Sequence, residues 1–89
     1  MADGKLFTLE VVTPERVIFT GAVTTVVAPA ANGYLGVLAH HAPLIALLAP
    51  GRIVYRTPEG TTVTLASQGS GLLEVRDNRL TILADRIAA

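Results

Sequence analysis

At 89 residues the chain has room for one domain, spanning 1–89, and not two. Seven Lys plus Arg balance seven Asp plus Glu, the basic residues are scattered, and there is no Cys. A concentrated basic face for nucleic acid is therefore absent, as is a basic stretch for anionic lipid, and disulfides, cysteine zinc sites and thiol chemistry are excluded.

Hydrophobic residues make up 51% of the chain, the upper end of ordinary usage. A small core does not absorb all of them, so part of this surface is expected to face a partner. Met1-Ala2-Asp3-Gly4-Lys5 is a polar tail without a signal-peptide core, which fits a cytosolic setting. No apolar run approaches the roughly 18 residues of a membrane-spanning helix.

Gly and Pro punctuate the chain too often for helices, and the segments between them are rich in Val, Ile, Thr and Leu. Lys5–Thr13 alternates, with Phe7, Leu9 and Val11 on one face. Thr13-Pro14-Glu15-Arg16 turns into Val17–Thr20, which Gly21 is expected to break. Val23–Ala28 is stopped by Pro29, and Ala30-Ala31-Asn32-Gly33 loops into a short strand, Tyr34–Leu38. Ala42–Ala49 is continuously apolar and closed by Pro50-Gly51. Arg52–Arg56 and Thr61–Ser67 form a hairpin around Thr57-Pro58-Glu59-Gly60. Leu72–Arg76 and Arg79–Ala84 form another around Asp77-Asn78. Only Asp85–Ala89 could begin a helix. The fold class is all-β: a flattened sandwich of about ten short strands in two sheets.

Reactive constellations are few. His40 and His41 are adjacent, so in extended chain their rings point to opposite faces and do not grip one metal. A structural or contact role is the preferred reading. Ser67-Gln68-Gly69-Ser70-Gly71 leads into a strand, whereas a phosphate-cradling loop must open a helix. Gly33-Tyr34-Leu35-Gly36 is half a dinucleotide fingerprint without its helix. The carboxylates are scattered, with no pair placed for acid–base work. No catalytic, cofactor or metal residue is assigned, and the chain is read as a non-enzyme.

Gly33-Tyr34-Leu35-Gly36-Val37-Leu38-Ala39-His40-His41-Ala42-Pro43-Leu44 is more specific. It resembles the signature segment of the epsilon subunit of F-type ATP synthases. The likeness extends over Leu9–Glu15, Phe19-Thr20-Gly21, Val26–Pro29, Leu48–Gly51 and the closing hairpin from Gly71 to Asp85. It implies a sandwich of about ten strands in a non-catalytic rotor subunit. That subunit docks on gamma and the c ring, couples rotation to ATP synthesis, and lies peripherally at the cytoplasmic face of the bacterial plasma membrane. The contact residues it implies are Ala31, Asn32, Gly33, Tyr34, His40, His41, Ala42 and Pro43.

Two positions depart from the family. Tyr34 stands where an acidic residue is common, and Ala39-His40 replaces a Pro-Gly, so His41 matches the family histidine and His40 is extra. The resemblance stops near Asp85, before the helical hairpin that family members usually carry, so residues 86–89 are expected as a stub. That hairpin supplies the ATP site of some members, so no ATP binding is expected within these 89 residues. The alternative function is a free-standing sandwich adaptor that binds another protein.

Overall fold

A computed structural model describes residues 5–88, and the tail expected at 1–4 lies outside them. Eight strands form: β1 (Phe7–Val12), β2 (Val17–Val23), β3 (Thr25–Ala30), β4 (Gly33–Val37), β5 (Leu44–Leu48), β6 (Gly51–Arg56), β7 (Thr62–Arg76) and β8 (Arg79–Ala88). They make one continuous sheet in the order β2-β1-β8-β7-β5-β3-β4, with β6 between β3 and β7. The sheet folds over on itself because β7 pairs with β6 through its first half and with β5 through its second. One layer is thus β2-β1-β8-β7-β5 and the other β7-β6-β3-β4, as in a sandwich.

The period-2 pattern decides which side chains go inside. In β1, Phe7, Leu9 and Val11 are buried as their alternation requires. They meet Val23, Val26, Val37, Leu48, Ile53, Tyr55, Leu65, Leu73, Val75, Leu80 and Ile82 in one core. Phe19 lies against Tyr55 with ring centroids 4.5 Å apart. Burial raises the Tyr55 phenol above its ordinary pKa of 10.0, because its charged form is desolvated.

Three expectations need correction. Gly21 does not break β2, but stays in register opposite Leu9, and its missing Cβ makes room for the Phe19 ring. Pro29 does not stop β3, because it sits opposite Tyr34 and its carbonyl accepts from Ala49 N–H at 2.8 Å. Asp85–Ala88 is strand, not the start of a helix, with Arg86, Ile87 and Ala88 paired to Gln68, Ser67 and Ala66. The strand count settles at eight because Thr61–Ser67 and Leu72–Arg76 belong to a single strand. That strand turns at a bulge between Gln68 and Gly71.

Candidate docking surfaces

The expected contact residues fall into two groups. β4 begins at Gly33 and ends at Val37, while β5 runs back from Leu44 to Leu48. Ala31 to Tyr34 therefore lie at one end of these strands and His40 to Pro43 at the other. Five strand residues span roughly 13 Å at about 3.3 Å per residue, so no single side chain reaches both groups.

At the first end, Ala31-Asn32 is a two-residue turn closed by the Ala30–Gly33 pair, with Gly33 at φ 126°. Ala31 N–H donates to Leu47 O at 2.9 Å, which ties the turn to β5. Tyr34 is 61% exposed, yet its hydroxyl accepts from Arg52 N–H at 3.2 Å. The β3–β6 register pairs Thr25 with Arg56 and Val27 with Val54. Continued, it would bring Pro29 opposite Arg52, but the Pro29 carbonyl is taken by Ala49. Tyr34 thus serves a sheet N–H left over where the ladder ends. It also packs over Gly51 (φ 152°), where an added Cβ would lie 2.8 Å from the hydroxyl and 2.9 Å from Pro29 Cβ.

At the second end, His40 is in the left-handed region at φ 63°, and its N–H donates to Asn78 Oδ1 at 2.7 Å. Asn78 Nδ2 donates to Leu6 O at 3.0 Å. One amide in the β7–β8 turn therefore holds both the histidine loop and the approach to β1. His41 is half-buried; its N–H donates to Leu38 O at 3.2 Å and its Nδ1 to Ala42 O at 2.8 Å. These bonds hold the loop's backbone in place. Ala42 and Pro43 are exposed. No group of three His, Cys, Asp or Glu that could hold a metal occurs among the described residues.

The strongest surface feature lies elsewhere. Cross-strand pairing places Leu47 opposite Leu72, Leu72 opposite Leu83, Leu83 opposite Val12, and Val12 opposite Val17. These five side chains make an unbroken apolar row across the layer β5-β7-β8-β1-β2. Leu47 is 64% exposed, and Leu72, Leu83 and Val17 are exposed too. Neighbouring strands lie about 4.8 Å apart, so the row is roughly 19 Å long. Its Leu47 end adjoins the Ala31 turn through the backbone bond above. From Val17 to Gly51 the chain has no Lys, Arg, Asp or Glu, so charge interrupts neither the turn nor β2 and β5 at the two ends of the row.

The row was missed in the sequence. Its members lie on five different strands, and only the pairing register lines them up. Beside its centre is a pocket of about 410 Å³, lined by Val12, Thr13, Pro14, Ser70, Gly71, Leu83, Ala84 and Asp85. On the other layer a second apolar patch surrounds Gly36, where Tyr34, Leu38 and Val27 are exposed.

The chain is an all-β sandwich that exposes a row of apolar side chains on one outer face. The chain belongs to the family of the ATP synthase delta/epsilon chain β-sandwich domain, whose model matches residues 6–89. An ATP synthase epsilon chain from Syntrophomonas wolfei is 43% identical over 79 residues, 89% of this chain and 57% of that protein. One from Carboxydothermus hydrogenoformans is 49% identical over 77 residues, 86% of this chain and 56% of that protein. The chain therefore spans a little over half the length of these relatives. The same fold occurs in the Euglena gracilis mitochondrial ATP synthase OSCP/F1/c-ring structure, with TM-score 0.85 and 21% identity over 96% of this chain and 53% of that one. It occurs again in the Tetrahymena thermophila mitochondrial ATP synthase central stalk/c-ring structure, with TM-score 0.75 and 15% identity over 91% and 64%.

Proposed function

We propose that this domain is the sandwich of a non-catalytic central-stalk subunit in a proton-translocating ATP synthase. It docks on the gamma subunit and on the c ring, and helps carry rotation between the ring and the catalytic head. Through that complex it is peripheral to the membrane, at the cytoplasmic face of the bacterial plasma membrane. The relatives named epsilon chain and the fold's occurrence in central-stalk assemblies support this reading.

The observation that carries it is the apolar row Leu47-Leu72-Leu83-Val12-Val17. Fully burying one such side chain contributes about 1.5–3 kcal/mol, so several partly exposed ones leave an appreciable driving force for a partner. The row takes gamma, and the Ala31–Tyr34 and His40–Pro43 segments at the two ends of β4 and β5 supply flanking contacts to gamma and the c ring.

Calorimetry of the purified chain against the gamma subunit of the same organism tests this. Binding at micromolar affinity or tighter is expected. No binding at micromolar concentrations, together with recovery of an unrelated partner from the cell, would instead establish the adaptor role.

A further inference from the structure

The pocket beside the apolar row contains one charge and nothing to balance it. Leu83 and Asp85 point the same way from β8, with buried Ala84 between them. Val12, Leu83 and Gly71 give the pocket an apolar lining, and Thr13, Ser70 and Asp85 add polar groups. Gly69 makes the placement of Asp85 possible. It sits at φ 81°, and the Asp85 Oδ2 atom lies 2.6 Å from where a Cβ at Gly69 would be. The carboxylate folds against bare backbone that no other residue type would leave open.

Asp85 has no ion-pair partner among the described residues, whose three ion pairs all involve Arg76 or Arg79. The other charged groups of this corner, Glu15, Arg16 and Arg86, line a separate depression with Thr13, Ile18, Gln68 and Ile87. None of them lines the pocket of Asp85.

We infer that this pocket receives a cationic side chain, Arg or Lys, of the partner that covers the apolar row. This inference rests on the proposed docking to gamma. The aliphatic stem of that side chain lies on Leu83 and Val12, and its charged head meets Asp85. One feature assigns the pocket to the partner that covers the row, and a second selects a cation over a purely apolar occupant. The pocket is continuous with the row, sharing Val12 and Leu83 with it. An apolar plug would in addition strip water from the Asp85 carboxylate without giving it a partner, which is costly. The row thus supplies affinity, and Asp85 fixes the position at which the partner surface sits on it.

The test is binding of the gamma subunit to the wild-type chain and to Asp85→Asn, at salt concentrations from about 50 to 300 mM, where screening of partly exposed charge changes most. Asp85 is exposed, so the variant is expected to keep the wild-type melting temperature. At low salt, Asp85→Asn is expected to bind about tenfold more weakly. The wild type is expected to weaken as salt rises while the variant does not, so the two converge. A variant that binds within twofold of wild type, or that keeps the wild-type salt dependence, overturns the cationic occupant and leaves docking on the row intact. Failure of the wild type to bind gamma overturns both. A wild-type chain that instead dimerises in ultracentrifugation, and loses the dimer in Asp85→Asn, assigns the pocket to a second copy and overturns gamma as its occupant.

Discussion

Two single residues control local order far beyond their size. Asn78 adopts φ 59° in the β7–β8 turn while its side-chain amide joins Leu6 O and His40 N–H. Asn is among the few residues that reach this backbone region readily. Asn78→Gly keeps the turn and removes both bonds, so it isolates the side chain's role. A loss of about 1–2 kcal/mol is expected in urea unfolding. Faster amide exchange is expected at His40 and not at Ala31, which lies at the other end of β4; equal exchange at both would refute the tie. Tyr55 acts through its proton. Burial raises its pKa above 10.0, so on alkalinisation the unfolded chain gives up that proton before the folded one does. Its contribution to stability is whole below pH 10.0 and is lost as pH rises through the raised folded value. Urea midpoints from about pH 8 to 11 should fall more steeply in the wild type than in Tyr55→Phe. Parallel curves would show that this phenol is not the titrating group.

Among the elements, β1 was legible in full, because Phe7, Leu9 and Val11 alternate without interruption and all three are buried. The two hairpins around Thr57–Gly60 and Asp77-Asn78 were also legible, since their turn residues stand where the backbone needs them. The corner was not. Gln68-Gly69-Ser70-Gly71 reads as a break between strands, yet β7 passes through it and β8 follows, paired on both sides of the bulge. The cause is a long-range contact: at Gly71 an added Cβ would overlap the Leu83 carbonyl, so this glycine is there for the close passage of β8. A break in the sequence and a close approach in space use the same residue type. Pro29 is a second such ambiguity, since its lack of an N–H ends a strand only where a neighbour needs that donor. Among the site residues, the Ala31–Tyr34 and His40–Pro43 segments could be proposed from the resemblance. The apolar row could not, because it depends on pairings between residues as far apart as Val12 and Leu83.

At the scale of the whole molecule, folding one sheet back on itself gives the domain two outer faces of different character. The face of β5-β7-β8-β1-β2 carries the apolar row, and beside it a charged band in which Arg79 pairs with Glu10 at 3.2 Å. The face of β7-β6-β3-β4 carries Arg52, Arg56 and Thr64 around the patch at Gly36. If the row is the docking face, a charge on it should abolish docking without harming the fold. Leu47→Asp is the sharper variant because Leu47 is 64% exposed, so its substitution is expected to change unfolding free energy by no more than about 0.5 kcal/mol. Gamma binding should nevertheless weaken at least tenfold, or about 1.4 kcal/mol, since a carboxylate would be buried against apolar partner surface. Val27→Asp on the opposite face is the matched control, because Val27 is also exposed and apolar. It should leave gamma binding unchanged. The reverse result, with Val27→Asp losing gamma and Leu47→Asp keeping it, would move the docking face to the Gly36 patch. The row would then be left for a different partner.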